Sequence, residues 1–215
     1  MSWDLIEMRA DLGAILFTDE KRFCLDGPDG NIKCWYNEKE NIPKPVLIKR
    51  QQRGKSVMAW VGFMGKEKAP LFFFQETISS ASYTQNLLDN VMPWYNNLEE
   101  APALFQQDNA SSHVAKDTIK FFESQNIELL SWPAHSPDLN PVELIWAELS
   151  RQVYKNCKTY TSLKTLKENI MTAWNSLDPI FLENILVETW KRLLATSIQR
   201  GNFSKLEKEI LEKLK

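Results

Sequence analysis

Short, mainly apolar runs mark the first part of the chain. Such runs predict strands that are buried on both faces of a sheet. They cover residues 14–17, 56–63, 71–74, 103–107 and 127–130. The first run leads into Asp19 and the fourth into Asp108, so each is expected to carry an acid to the end of its strand. Residues 23–25 and 32–36 flank the turn-forming residues 26–30 and predict a hairpin.

Apolar residues adopt helical spacing after residue 82. A first helix is expected to end or bend at Pro93, and a second to end in a left-handed cap at Asn126. Their apolar positions are Leu87, Leu88 and Val91 in the first helix, and Ala115, Ile119 and Phe122 in the second. Strands followed by alternating strands and helices predict an α/β fold, a mixed sheet with helices packed on it.

The remainder of the chain is predicted to be helical. Ser162 can cap one helix, Asp178-Pro179 starts another, and Gly201 follows that helix. Residues 204–207 have the spacing of a capping box before a last amphipathic turn or two. The inward positions of the two longer helices are Leu163, Leu166, Ile170, Ala173, Trp174, Leu177, Leu182, Ile185, Leu186, Leu193 and Leu194.

Composition places the chain among ordinary soluble proteins. It has 215 residues, of which 43% are hydrophobic and 25% charged, enough to bury a full core. It contains no apolar run long enough for a membrane span, and its N-terminus does not resemble a signal peptide, so an intracellular protein is expected. Three cysteines, Cys24, Cys34 and Cys157, are too few and too irregularly spaced for a zinc site or a disulfide framework.

Charge identifies one candidate surface for a polyanion. The formal net charge is only -2, so the case for nucleic acid must rest on a local patch. Residues 37–55 carry six basic side chains against two acidic ones. The patch is either a solvated loop or a contact with DNA or another subunit.

Three acids suggest chemistry on phosphates. Asp108 and Glu143 are separated by 34 residues, enough for a helix, a strand and a turn to return the chain to the same edge of a sheet. Together with Asp19 they could hold two divalent cations, which neutralise the transition state of phosphodiester cleavage and activate the attacking oxygen. Three acids gathered without a cation would repel one another.

Each of these residues also has a structural explanation. Asp19 could be a strand-end acid, and Asp108 a turn former or helix cap. Glu143 follows Asn140 by three residues, which is the spacing of a capping box. His113 could orient a metal ligand or a phosphate, or be a surface or capping group. The aromatic residues Phe105, Trp132 and Trp146 are most simply core.

Three motifs, taken together and in order, resemble the catalytic domain of Tc/mariner transposases. They are Phe17-Thr18-Asp19-Glu20-Lys21-Arg22-Phe23, then Gln107-Asp108-Asn109-Ala110 with His113, then Trp132-Pro133-Ala134 with Ser136-Pro137-Asp138-Leu139-Asn140-Pro141. Residues 25–30 resemble the nematode Tc branch in particular. The similarity extends from about residue 11 to about residue 205, and the separation of 34 residues is the family's own.

The resemblance implies a ribonuclease H-like fold, with a mixed five-stranded sheet flanked by helices. It implies a catalytic core at residues 1–157, which includes a clamp-like basic loop at about 37–55, and a C-terminal helical extension at 158–215. It also implies that Asp19, Asp108 and Glu143 form an Asp-Asp-Glu triad that binds two Mg2+ ions, with Mn2+ as a substitute. DNA contacts are expected from Lys49, Arg50, Arg53, Lys55, Asn109 and His113.

The activity implied is cut-and-paste transposition. Relatives hydrolyse transposon ends and join the freed 3' hydroxyl to a target TA dinucleotide. The implied partners are double-stranded DNA, as transposon ends and target, and further copies of the chain in a homodimer or larger assembly. No membrane or small-molecule substrate is expected. The DNA substrate implies a location in the nucleus.

One departure from the family keeps other functions open. Relatives begin with paired helix-turn-helix modules that recognise terminal repeats, and these are expected to be absent here. The alternatives are a catalytically silent, domesticated or truncated DNA-binding or assembly protein, and a ribonuclease H-like nuclease acting on other nucleic acids. The intact triad favours the transposase.

Overall fold

The computed structural model of the chain describes residues 12–27, 55–75, 77–133 and 136–199. The second strand of the predicted hairpin, most of the basic patch at 37–55 and the predicted last helix after residue 203 lie outside these residues. Lys49, Arg50 and Arg53 are among the residues outside.

Five strands and six helices, with three short 3-10 turns, make up the described part of the chain. The strands are β1 (Ile15–Cys24), β2 (Ser56–Met64), β3 (Glu67–Lys68), β4 (Phe72–Phe74) and β5 (Leu104–Gln106). The helices are α1 (Ser80–Asn86), α2 (Met92–Tyr95), α3 (Lys116–Ser124), α4 (Val142–Val153), α5 (Leu163–Asn175) and α6 (Pro179–Gln199). The 3-10 turns are Leu12–Ala14, Pro137–Leu139 and Lys155–Cys157, and a π-helical turn, Leu87–Val91, joins α1 to α2.

The sheet is mixed, as the sequence predicted. Strand β1 pairs with β2 in antiparallel fashion and with β5 in parallel fashion. The far edge of β2 pairs with β3 at one end and with β4 at the other. The parallel pairing of β1 with β5 extends only from Ile15 to Phe17, so the following residues of β1 lose their neighbour on that side.

Helices cover both faces of the sheet. Ile15, Phe17 and Phe23 of β1 belong to one core cluster, which also contains buried residues of α4, α5 and α6. Leu16 belongs to a second cluster, which contains buried residues of α1, α2 and α3. Because successive side chains of a strand point to opposite faces, β1 divides the two clusters. The fold therefore has three layers, helices on each side of one sheet.

The C-terminal helices were predicted well. Ser162 caps α5, since its Oγ accepts a hydrogen bond from the backbone N–H of Thr165 at 3.2 Å. All the predicted inward residues of α5 and α6 whose side chains are described are buried except Leu163, which is half-buried and packs on the cluster. The side chain of Leu194 and the residue Gly201 lie outside the described part. None of the described helices is both long and apolar enough to span a membrane.

The strand predicted at residues 127–130 is wrong. The segment makes a single parallel bridge to β5, in which Phe105 donates to Glu128 O and accepts from Leu130 N. Strand β5 has only three residues, so it offers one residue with both backbone groups available on that side. An extended segment beside so short a strand cannot form a longer ladder.

The prediction at Pro93 was also incomplete. The helix continues past Pro93 to Tyr95, and the turn before it is π-helical, with Met92 N donating to Leu87 O. Proline lacks an N–H and its ring clashes with the preceding turn of an α-helix, so a widened turn accommodates it. Leu88, expected on the inner face, is 44% exposed.

Candidate metal centre

Asp19 lies in the middle of β1, where it pairs with Val61 of β2. The prediction that it ends the strand is wrong, because β1 continues to Cys24 along β2. One edge of β1 beside Asp19 is nevertheless unpaired, as it would be at a strand end. The pairing with β5 stops at Phe17, so the backbone beside Asp19 is open on the β5 side.

Side-chain hydrogen bonds hold β1 and β5 together at the point where their ladder stops. Thr18 N donates to Gln106 Oε1 at 3.1 Å, and Thr18 Oγ1 donates to Gln106 O at 2.7 Å. Both side chains are buried. Asp108 follows two residues after Gln106, so this connection fixes its strand relative to that of Asp19.

The start of α4 is tied to the same strand. The buried Asn140 donates from Nδ2 to Thr18 O at 3.2 Å and accepts at Oδ1 from Val142 N at 3.1 Å. One amide thus caps the helix and attaches it to β1 beside Asp19. Glu143, in the first turn of α4, is thereby brought to the open side of β1.

The capping-box explanation of Glu143 does not hold. In a capping box the side chain of the third helical residue returns to the backbone N–H of the cap. Here the N–H of Asn140 donates instead to Pro137 O. The Glu143 carboxylate therefore does not take part in a capping box.

The three acids line one pocket of about 420 Å³. Asp19 comes from β1, Asp108 from the loop after β5, and Glu143 from the first turn of α4. The remaining wall is formed by Asn109, Ala110, Trp132, Pro133, Ser136, Pro137 and Asn140. Residues far apart in the sequence therefore line the same pocket.

Burial strongly disfavours the charged form of Asp19. Desolvation, with the charges of Glu20 and Glu143, raises its pKa to about 7, although a hydrogen bond from Trp146 Nε1 to Asp19 Oδ2 at 3.1 Å acts in the opposite direction. A carboxylate that is costly to ionise alone is stabilised by a nearby cation. A positive charge close to Asp19 would therefore be electrostatically favourable.

Asp108 is the opposite case. Its Oδ1 accepts from His113 Nδ1 at 2.6 Å and from Ala110 N at 2.9 Å. The hydrogen bond from His113 lowers the pKa of Asp108 below its ordinary value, more than partial burial raises it. Asp108 is thus ionised at neutral pH, and its side chain is 54% exposed.

His113 lies between two acids. Its Nε2 is 3.5 Å from Glu20 Oε1, and its side chain is 3% exposed. Burial alone would lower the pKa of His113, but the hydrogen bond to Asp108 and the charges of Glu20 and Asp108 raise it to about 10. The two acids therefore favour the protonated imidazole. The side chain is almost fully buried, and the DNA contact expected of His113 stays a prediction.

The donor set fits a hard divalent cation. Three carboxylates from rigid elements supply the oxygen ligands that Mg2+ and Mn2+ take in proteins. Within the described ranges, no three His, Cys, Asp or Glu side chains are close enough, as placed, to hold one ion.

The other predicted DNA contacts are only partly described. Asn109 lines the pocket, and its Nδ2 donates to Trp132 O at 2.8 Å, which fixes the opposite wall. Lys55 is exposed at the start of β2, next to the undescribed part of the basic patch. DNA contacts of Asn109 and Lys55 stay predictions.

Sequence reasoning missed the residues that support the acids. The sequence predicts Trp146 as core, and it is buried, but its indole N–H also donates to Asp19. Nothing in the linear sequence marks Glu20 apart from its motif. Strand alternation could have indicated that Glu20 points away from Asp19, to the face from which a histidine could reach it.

Comparisons with known proteins agree with this geometry. Residues 14–167 match the family described as DDE superfamily endonuclease. The Tc3 transposase of Caenorhabditis elegans is 36% identical over 197 residues, which cover 91% of this chain and 59% of that protein. The Tcb2 transposase of Caenorhabditis briggsae is 30% identical over 199 residues, which cover 91% and 71%. The chain thus spans only about three fifths of the Tc3 transposase.

Solved structures with the same fold include two of Mos1 transposase. The paired-end complex with the left transposon end has a TM-score of 0.77 at 20% identity, covering 94% of this chain and 61% of that chain. The Mos1 catalytic domain with raltegravir and Mg has a TM-score of 0.69 at 19% identity, covering 94% and 90%. These matches confirm the predicted ribonuclease H-like fold.

Proposed function

Because the chain belongs to the DDE superfamily endonucleases, in the Tc/mariner branch, we propose that it is the catalytic domain of a cut-and-paste DNA transposase. Its reaction would be hydrolysis of phosphodiester bonds at transposon ends, followed by transfer of the new 3' hydroxyl into target DNA. The observation that carries this proposal is that Asp19, Asp108 and Glu143, from three distant segments of the sequence, line one pocket.

We propose these three acids as the catalytic triad and as the ligands of divalent metal. The family's metal is Mg2+, bound as two ions, with Mn2+ as a substitute. When bound, such ions neutralise charge on the phosphate and make water or a hydroxyl more nucleophilic. Related solved structures include the Mos1 catalytic domain with Mg and with Mn, which supports the choice.

The chain's own residues would then have distinct tasks. Asp19, held by Trp146 and embedded in β1, provides a rigid ligand at the floor of the pocket. Asp108, already ionised, provides a second ligand from the β5 loop. Glu143 reaches from the first turn of α4, and its longer side chain can adjust to gather the ions.

The proposed partners are double-stranded DNA, as transposon end and as target, and a second copy of the chain. Mos1 structures that share this fold are paired-end and strand-transfer complexes, which supports an assembly on DNA. We also propose the nucleus as the place of action, since DNA is the substrate.

A nicking assay tests the proposal. The purified chain is expected to nick duplex DNA in the presence of Mg2+ and to stop when EDTA removes the metal. Asp108→Asn keeps the hydrogen bond from His113 but loses the charge that holds the cation, so nicking should fall at least ~1,000-fold.

The matched control is Asp138→Asn. Asp138 is exposed in the 3-10 turn before α4 and does not line the pocket, so this variant should nick as the wild type does. Equal nicking by Asp108→Asn and wild type would contradict the triad. Preferred cleavage of an RNA-DNA hybrid would instead indicate a different nuclease.

A further inference from the structure

The two oxygens of the Asp108 carboxylate are not equivalent. Oδ1 accepts two hydrogen bonds, from His113 Nδ1 at 2.6 Å and from Ala110 N at 2.9 Å. Oδ2 accepts none from the described residues. A cation approaching Oδ1 would meet the hydrogens of both donors, whereas Oδ2 offers its lone pairs without competition.

His113 is held in place from several sides. Its Nε2 faces Glu20 Oε1, a buried oxygen that accepts no hydrogen bond in the described part of the chain. The Tyr83 ring packs on the imidazole, with the ring centroids 4.3 Å apart. Gln107 accepts from Tyr83 Oη at 2.9 Å and donates to His113 O at 3.2 Å. The imidazole therefore has one orientation, with Nδ1 directed at Asp108.

Glu20 and Asp19 are neighbours in β1 but act on opposite sides of the sheet. Asp19 binds Trp146 of α4, whereas Glu20 faces His113 on the side of α1 and α3. The strand thus supplies one acid to the pocket and another to the support of Asp108. Glu20 and His113 thus link β1, which carries Asp19, to the Asp108 carboxylate in the loop after β5.

Resting on the metal-dependent function proposed above, we infer that Glu20 and His113 are positioning residues that make Asp108 a one-oxygen ligand through Oδ2, and that this restriction selects small cations such as Mg2+ over Ca2+. Hydrogen-bonded partners of metal ligands commonly orient them in this way. Here the partner is a histidine between two carboxylates, and only one of these carboxylates lines the pocket.

Coordination chemistry explains the selectivity. Mg2+ requires a near-ideal octahedron and is usually bound by carboxylates through single oxygens. Ca2+ takes six to eight oxygens and accepts two from one carboxylate. A carboxylate whose Oδ1 accepts two hydrogen bonds can offer a cation only Oδ2. A carboxylate that has lost the hydrogen bond from His113 can turn both oxygens toward the cation.

Calorimetric titration of the full chain with Mg2+ alone and with Ca2+ alone tests the inference. His113→Gln and His113→Asn form a matched pair. The shorter Asn can place its amide nitrogen near the position of Nδ1 and keep the bond to Asp108. The longer Gln reaches toward Glu20 and leaves Asp108 Oδ1 with only the hydrogen bond from Ala110 N. We expect His113→Gln to raise the Kd for Mg2+ about 10-fold or more relative to that for Ca2+, and His113→Asn to keep the wild-type ratio.

Two further variants separate positioning from general loosening. Thr118 is buried and donates to Ser112 O at 2.6 Å, in the segment that carries His113. Thr118→Val should lower stability without changing the Mg2+ to Ca2+ ratio. Should His113→Gln fail to fold, Glu20→Gln, which keeps the size of the side chain, should shift the ratio in the same direction by a smaller factor.

The possible results are distinct. The inference is overturned if the ratio of the Mg2+ and Ca2+ dissociation constants is unchanged in both His113→Gln and Glu20→Gln. It is also overturned if His113→Asn or Thr118→Val changes that ratio as much as His113→Gln does. Either result leaves the proposed function standing. A wild-type chain that binds neither cation overturns both. A shift confined to His113→Gln and Glu20→Gln supports the positioning role.

Discussion

At the scale of single residues, the environments of Asp19 and Asp108 shift the pKa values of the two acids in opposite directions. Asp19 is desolvated and costly to ionise, whereas Asp108 is stabilised as a carboxylate by His113. A cation satisfies both, since it stabilises the charge on Asp19 and binds the oxygen of Asp108 that has no donor. The burial of Asp19 therefore lowers the stability of the metal-free chain at neutral pH and favours the binding of a cation.

The pH dependence of stability should reveal the cost at Asp19. Its pKa is about 7 in the folded chain and 3.8 as the reference value, so the folded state keeps a proton that the unfolded state has lost. Stability contributed by this group is therefore greatest below pH 4, falls between about pH 4 and 7, and is constant above. The fall is on the order of 4 kcal/mol.

Asp19→Asn tests this assignment in EDTA. The variant has no proton to lose, so its stability from pH 4 to 7 should lack that decline, and at pH 8 it should unfold at a higher temperature than wild type while losing nicking activity. Asp138→Asn, which removes an exposed acid, should follow the wild-type profile. A wild-type stability that rises in step with Asp19→Asn over this range would contradict the buried-acid account.

The sequence indicated the acids because two of them follow short apolar runs and the third follows a helix-start motif. The sequence did not predict the supports, because these depend on tertiary packing. Trp146 Nε1 reaches Asp19 only when α4 lies across β1, and His113 reaches Glu20 only when the β5 loop folds back over the sheet. In the linear sequence, Trp146 and His113 have the ordinary explanations of core and cap.

At the scale of elements, one connection positions the site, the attachment of α4 to β1 through Asn140. Its amide caps the helix and binds Thr18 O, beside Asp19. The same Thr18 is bonded to Gln106 of β5. The three elements that carry the acids are therefore tied together within one residue of Asp19.

Removal of this amide should affect both stability and activity. Asn140→Ala loses a helix cap and leaves the buried Thr18 O without its donor, so the free energy of unfolding should fall by about 1–3 kcal/mol. Nicking should fall more than the loss of folded chain explains, because Glu143 is no longer fixed. Ser162→Ala, which removes the cap of α5 far from the pocket, should lower stability alone. Equal effects of both variants on the activity of the folded fraction would contradict the role of Asn140.

The elements themselves were largely predictable from apolar runs and caps. Ser162, Asp178 and the positive φ of Asn126 (55°) agree with the expected helix ends. The predictions fail where strand pairing, or the backbone chemistry of proline, determines the structure more strongly than the pattern of apolar residues. Residues 127–130 are mainly apolar but have only Phe105 to pair with, and Pro93 is accommodated by a π turn that no apolar spacing indicates.

At the scale of the whole molecule, the C-terminal helices belong to the same core as the catalytic strands. Phe17 of β1, Trp146 of α4 and Ile170 of α5 lie in one buried cluster. The predicted division at residues 157 and 158 therefore separates segments of sequence that share one hydrophobic core. We expect the described part to unfold as one unit.

Ile170→Ala tests this expectation. Ile170 is fully buried in α5, and its truncation should cost about 2–5 kcal/mol. Helix content and Trp fluorescence, which includes Trp146 beside Asp19, should still change together in one transition. Ile180→Ala, the same change at a residue that is 60% exposed, should alter stability by less than about 0.5 kcal/mol. Separate transitions for the two signals would show that the helices fold apart from the site.

The most direct measurement for the whole account is the anomalous scattering of Mn2+ in crystals of the chain. The account predicts that Mn2+ lies in the pocket, bound by oxygens of Asp19, Asp108 and Glu143, with Glu143 turned inward to complete the site. Mn2+ held only by other residues, or a pocket that takes up none while Glu143 stays apart from the two aspartates, would contradict it.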